Sequence, residues 1–172
     1  MSPEQLALQL TEAKDASVQI MGKPSHEDIV CIRELLTPLL LQAGYNKSHV
    51  KHKLWGIIAP ASAYAVNYSE PFATSECIGA YPLISQDAID QNRKLEAVWK
   101  ICIKNYVLYD TGIRGAAAFI LSIVDDVWVC KMRDTTTFYT DVLPSDFLTH
   151  LKEHCTGIYA IDSVDLPLII QG

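Results

Sequence analysis

The stretch from Ser85 to Asp134, SQDAIDQNRKLEAVWKICIKNYVLYDTGIRGAAAFILSIVDDVWVCKMRD, decides how the rest of the chain is read. It holds Trp99 and Trp128, two of the three tryptophans. Apolar residues recur at Leu95, Val98, Trp99, Cys102, Tyr106 and Tyr109, then at Ile113, Ala116, Ala117, Ile120, Leu121 and Val124. With 3.6 residues per turn, that spacing puts them on one helix face. Ser85 is the N-cap candidate, and Asp87 lies close to the positive end of the helix dipole. Thr111-Gly112 and Gly115 weaken the middle, so two helices with a bend between them are expected rather than one rod. The face is too wide and too aromatic for a two-stranded coiled-coil seam. It is expected to be the central wall, Leu95 to Val124, of a globular helical core.

Toward the N-terminus, Pro24-Ser25 opens another helix. Asp28, three residues after Ser25, makes a capping-box-like start. Ile29, Ile32, Leu35, Leu36, Leu39 and Leu40 follow at helical spacing. Pro38 is expected to kink or divide this run, and Ala43-Gly44 to end it. Asn46 to Ser48 is read as the start of a further helix carrying Val50, Leu54, Trp55, Ile57 and Ile58. Pro60 then starts a short helix over 61–66. Residues 1–23 read as a weakly structured arm. Ser2-Pro3-Glu4-Gln5 resembles a helix start, but Leu6, Leu8 and Leu10 alternate and make no helix face. Residues 24–172 are expected to form the domain proper, with the long loop at 67–84 either functional or a lobe boundary.

Beyond the central stretch, Thr135 to Thr137 is a break. Pro144-Ser145 starts a helix with Phe147, Leu148 and Leu151, and a last helix holds Val164, Leu166, Leu168, Ile169 and Ile170. The sequence stops at Gly172 within that apolar run, so a piece of a longer polypeptide is expected. The fold expected is all-α, about seven or eight helices in one compact domain. Its core is expected to hold Trp55, Trp99, Tyr106, Phe119, Ile120, Trp128, Phe138, Tyr139, Phe147 and Leu151.

The totals narrow the function. The 172 residues are 49% hydrophobic, enough to bury a core, and 20% charged. That charged share lies below the globular norm of roughly a quarter, which points to apolar surface that meets a partner. A net charge of −6 argues against gripping a phosphate backbone. The local basic cluster, Lys47, Lys51 and Lys53 with His49 and His52, reads as a solvated helix face. Five cysteines, at 31, 77, 102, 130 and 155, include no Cys-x-x-Cys pair. A reducing, cytoplasmic setting is expected, with no cofactor. There is no signal-peptide pattern at the N-terminus, and no apolar run approaches the roughly 20 residues that span a bilayer.

Catalytic patterns are few. His150-Leu151-Lys152-Glu153-His154 matches H-x-x-E-H, with two histidines one turn apart and Glu153 between them as a base. A zinc site there needs a third ligand, for which Asp162 and Asp165 are the acidic residues that follow. The competing reading is a polar helix face with Phe147 and Leu151 turned inward, and it is the one preferred; no metal is expected. His49 and His52, three apart, lack an acidic or Cys neighbour and read as surface. Adjacent Asp125 and Asp126 point to different sides, so a charge at a helix N-terminus or an ion pair to Arg114 or Arg133 is expected in place of an acid/base pair.

One resemblance covers about a third of the chain. Ala97-Val98-Trp99, Arg114 to Ile120, Val124-Asp125-Asp126-Val127-Trp128-Val129, Arg133-Asp134 with Thr137-Phe138-Tyr139-Thr140, and Phe147 to Leu151 resemble the Gag polyprotein of copia-type long-terminal-repeat retrotransposons. They look most like the divergent elements of diatoms, oomycetes and lower fungi. Pro24 to Tyr68 is similar more loosely. The resemblance implies a capsid-like, helical shell protein that self-associates and has no active site. In such polyproteins RNA is bound downstream by a basic tail or a Cys/His knuckle; this segment has neither, so RNA binding is not expected of it. The function expected is a homo-oligomeric structural domain, with the 67–84 loop, the 1–23 arm and the C-terminal helix as contact surfaces. Two other classes stay open: a helical adaptor or effector module binding one foreign partner, and a zinc-dependent hydrolase through His150 and His154.

Overall fold

A computed structural model describes residues 1–76 and 89–155. Among these residues the order is α1 (Pro3–Ala16), α2 (His26–Leu41), β1 (Gly44–Lys47), β2 (Val50–Lys53), a 3-10 turn (Leu54–Ile57), α3 (Ala61–Tyr68), α4 (Ile89–Ile123), two further 3-10 turns (Asp126–Trp128 and Cys130–Met132) and α5 (Pro144–His154). The expected all-α fold of seven or eight helices is therefore corrected. The described residues form five α-helices and a two-stranded antiparallel sheet.

The sheet replaces the helix expected after Asn46. Lys47 pairs with Val50 and Gly44 with Lys53, leaving Ser48 and His49 as a two-residue turn. Both turn residues have positive φ, 53° and 66°. That is the left-handed geometry a tight hairpin needs to match the strand twist, here supplied without glycine. The alternation that decides it is Tyr45 and His52, cross-strand partners that are both buried.

The 1–23 arm is corrected as well. Ser2 and Gln5 form a reciprocal capping box, with Ser2 Oγ accepting from the Gln5 N–H at 3.1 Å and Gln5 Oε1 accepting from the Ser2 N–H at 2.9 Å. Leu6 and Leu10, four apart, are buried, while Leu8 is 60% exposed. The alternate leucines thus divide between core and solvent. The same box forms at Ser25 and Asp28 and starts α2 as expected. Pro38 does not divide α2, which ends three residues later at Leu41. The hydrogen bond that Pro38 removes belongs to the last turn, while Leu36 and Leu40 on either side are fully buried.

The third correction concerns α4, a single helix of 35 residues with no break at Thr111-Gly112 or Gly115. Gly115 is a notch for α1. A Cβ there would lie 2.4 Å from Leu10 Cδ1. A mid-helix glycine costs about 1 kcal/mol, and burying a leucine returns about 1.5–3 kcal/mol.

The core is built from α1, α2, the 3-10 turn at Leu54, the second half of α4 and α5. Phe119, Ile120, Phe147 and Leu151 are fully buried; Trp55, Trp128 and Tyr139 are half-buried against the core cluster. Trp99 and Tyr106 are half-buried on the leading half of α4. Phe138, expected inside, is 59% exposed. The Leu95–Val124 wall is a wall only in its second half. Val98, Ile101, Leu108, Ala116 and Phe119 share one face in helical steps. Leu108, Ala116 and Phe119 are buried, yet Val98 is 59% and Ile101 58% exposed. Among the described residues, no helix is long and apolar enough to cross a membrane.

Candidate functional site

The histidine pair on α5 has the spacing of a catalytic pattern, H-x-x-E-H. His150 and His154 stack with ring centroids 4.6 Å apart. His150 Nε2 lies 3.1 Å from the carbonyl oxygen of Trp128. A carbonyl only accepts, so Nε2 carries the proton and is committed to the turn that follows α4. Burial, and then the neighbouring His154, hold the His150 pKa below the ordinary histidine value. Glu153 is exposed on the same helix. Among the described residues, no group of three His, Cys, Asp or Glu side chains is placed to hold a metal ion. Asp162 and Asp165 lie outside the described residues.

His49 and His52 separate across the hairpin. His49 is exposed at the turn, and His52 is 4% exposed. His52 belongs to an aromatic cluster that pins the chain after α3. Phe72 sits 5.3 Å from Tyr64, 6.1 Å from His52 and 6.3 Å from Tyr109, ring centre to ring centre. The Tyr45 hydroxyl donates to the Ala73 carbonyl at 2.7 Å, and the Ala73 N–H donates to His52 Nδ1 at 3.4 Å. Lys47 Nζ donates to the Thr74 carbonyl. The first part of the 67–84 loop is therefore anchored to the hairpin; the remainder lies outside the described residues.

A pH dependence follows. Accepting the Ala73 N–H requires an unprotonated Nδ1, so His52 is neutral. Burial, and then Lys47, lower its pKa, against an opposing pull from Glu70. As pH falls, the unfolded chain takes up the proton first, so stability falls with it. Urea midpoints are expected to drop between about pH 7 and pH 5. Replacing His52 by Phe and His150 by Asn is expected to flatten that slope. An unchanged slope in the double variant would remove both histidines from the account.

Charge divides the molecule along α4. Beside the middle of α4, the hairpin carries Lys47, Lys51 and Lys53, in a strand pair and not on the expected helix face. The Asn105 side chain donates to the Asn46 carbonyl at 2.8 Å, which fixes the hairpin against the helix. Residues 91–105 then run about 21 Å at 1.5 Å per residue. They carry Arg93, Lys94, Lys100 and Lys104 against Glu96 alone, and Glu96 pairs with Lys100 at 2.9 Å. Among these charges lie Leu95, Val98 and Ile101, each at least half exposed.

At the trailing end, the Ile20 N–H donates to the Ile123 carbonyl at 2.7 Å. This brings the end of α1, the start of α2 and the end of α4 together. A groove of about 330 Å³ lies there, lined by Val18, Ile20, Asp28, Cys31, Leu35 and Ile123. Val18 is 86% and Leu35 48% exposed. Asp28 is the charged residue in that lining; Asp15, Glu27 and Glu34 adjoin Ala16, Asp28 and Leu35 in sequence, and Lys14 and Lys23 lie close by as well. Asp125 and Asp126 follow Ile123 directly. Asp125 caps its 3-10 turn by accepting from the Val127 N–H. Asp126 accepts from the Tyr139 hydroxyl and lies 3.7 Å from Arg133. Burial and that hydrogen bond push the Tyr139 pKa up to about 12. Arg114 pairs instead with Asp110, at 2.7 Å.

Phe138 is displayed by a tight loop. Asp134 Oδ1 accepts from the Thr136 and Thr137 N–H groups, and those bonds lower its pKa. Asp134 and Phe138 then bridge, with Phe138 at a φ of 57°. The sequence signal for this exposure is Asp followed by three threonines, an Asx-turn pattern that outweighs the aromatic side chain. Compared with known proteins, the chain matches no family model, no curated protein and no solved structure.

Proposed function

We propose that this chain is a structural domain that works by associating with copies of itself, as the Gag proteins it resembles do. The observation that supports this reading is the leading half of α4. One continuous helix face passes from full burial at Phe119 to more than half exposure at Ile101 and Val98. Helix faces of that kind are the apolar element of protein contacts, with a polar rim around them. Of the residues carrying the resemblance, Ala97-Val98-Trp99 lie on this leading half, while Val124 to Trp128 and Phe147 to Leu151 shape the opposite end and the core. They are packing and turn residues, consistent with a shell protein that does no chemistry.

Light scattering on the full chain from about 1 µM to 1 mM tests the reading. A weight-average mass that climbs with concentration is the expected result. A strict monomer throughout would set it aside in favour of an adaptor that binds one foreign partner.

A further inference from the structure

We propose that copies associate head to tail, with the basic, apolar leading half of α4 of one copy seated in the acidic groove between α1 and α2 of the next. This rests on the self-association reading and specifies its geometry.

The first argument is electrostatic. Two leading ends facing each other would set Arg93, Lys94 and Lys104 against their own copies. A symmetric contact through that face is therefore self-repelling. The trailing end carries the opposite sign: Asp28 lines the groove, and Asp15, Glu27, Glu34 and Asp125 lie within two residues of its lining, against Lys14 and Lys23. The net charge of −6 means that the basic leading half is the exception, and that its complement is present in the same chain.

The second argument is shape. The leading half is a convex rod with Leu95, Val98 and Ile101 outward; the groove is a concavity with Val18, Ile20 and Leu35 in its walls. An amphipathic helix laid into an apolar groove is a recurring recognition mode, read through anchors spaced three and four apart. The leading half and the groove lie toward opposite ends of α4, so neither is used up when the other is occupied. A contact between two different patches is heterologous. It propagates into a ring if the rotation closes and into a filament if it does not.

The test uses two charge-reversed full-length chains. One carries Arg93→Glu, Lys94→Glu and Lys104→Glu; the other carries Asp15→Lys and Glu27→Lys. All five positions are exposed and outside the core, and circular dichroism checks that each variant is folded. Wild type is expected to form species larger than a dimer at 50 mM salt, and to lose about tenfold or more in association constant at 500 mM. Each variant alone is expected to be monomeric at concentrations where wild type associates. Mixed one to one, they are expected to regain large species in which the two alternate, because each basic patch again faces an acidic one. The uncharged pair Val98→Ser and Ile101→Ser is expected to weaken wild-type association about tenfold or more.

Four results would overturn the proposal. A closed one-to-one heterodimer in the mixture would mean that leading ends meet leading ends. Association unaffected by salt and by every variant would leave self-association standing and this geometry wrong. A mass increase seen only after adding a 20-nucleotide RNA would identify a polyanion as the occupant. A monomer with residues 95–101 protected from hydrogen exchange would show that the face is covered within its own chain.

Discussion

Changing Leu6 and Leu10 together to alanine is expected to lower the stability of the chain by roughly 5–8 kcal/mol, while Leu8→Ala lowers it by less than about 0.5 kcal/mol. Leu6 has no exposed surface and Leu10 has 2%; Leu8 is 60% exposed. Each buried leucine cut to alanine costs about 2–5 kcal/mol, from lost transfer energy and the cavity left behind. The two side chains are one helical turn apart and face the same stretch of α4, so the sum is not strictly additive. Natural domains are stable by only about 5–15 kcal/mol, so the double variant is expected to be largely unfolded at 25 °C or to melt well below wild type. Urea denaturation followed by tryptophan fluorescence measures it. A double variant within about 1 kcal/mol of wild type would mean that α1 is an appendage after all.

That contrast shows what the sequence makes legible. The capping boxes at Ser2 and Ser25 are local chemistry, and both helices begin where their caps stand. Pro144, Phe147 and Leu151 likewise carry their own helix. Three features were hidden because each is decided by a distant neighbour. The leucines of α1 look patternless until α4 covers two of the three. Gly115 reads as a break until Leu10 occupies the space above it. The hairpin reads as a helix because Ser48-His49 lacks the usual Asn-Gly signal, and the cluster around Tyr45 and His52 that holds both strands is built from distant residues. The candidate surface was half visible. The apolar periodicity of residues 95–101 is plain in the sequence, but periodicity does not say where the core stops. Along this face burial begins at Leu108, just past the Asn105 bond to the hairpin. Phe138 was misplaced for the opposite reason: hydrophobicity argued for burial, whereas the turn chemistry of Asp134 decided exposure.

Gly56→Ala is expected to cost about 2–3 kcal/mol in the wild-type chain and about 1 kcal/mol once Phe72 is alanine, which removes the ring but keeps the Cβ. A Cβ on Gly56 would lie 2.2 Å from Phe72 Cγ and 2.8 Å from its Cβ, so a root-side atom is struck as well as the ring. The ring has little room to yield. Tyr45, His52, Tyr64 and Tyr109 surround it, and the adjoining Ala73 is held at both its N–H and its carbonyl. Overpacking a site that cannot relax costs about 1–3 kcal/mol, and this contact belongs at the upper end. Phe72→Ala alone is expected to cost about 2–4 kcal/mol, less than at a fully buried phenylalanine because the ring is half-buried. The double variant should then fall below Phe72→Ala only by the cost of the remaining contact with the residue-72 Cβ, a coupling of about 1–2 kcal/mol between the two positions. Hydrogen exchange at the Ala73 amide gives an independent readout, since its donation to His52 is lost when the ring is displaced or removed. Strictly additive losses would show that the ring moves aside freely, and that the hairpin keeps its place against α4 without it, through the Asn105–Asn46 bond and the Tyr45–Tyr109 ring contact. The cluster matters beyond stability because it holds Lys47, Lys51 and Lys53 beside the leading half of α4. A chain in which Phe72 is displaced keeps its charges but is expected to lose the fixed surface on which they act together.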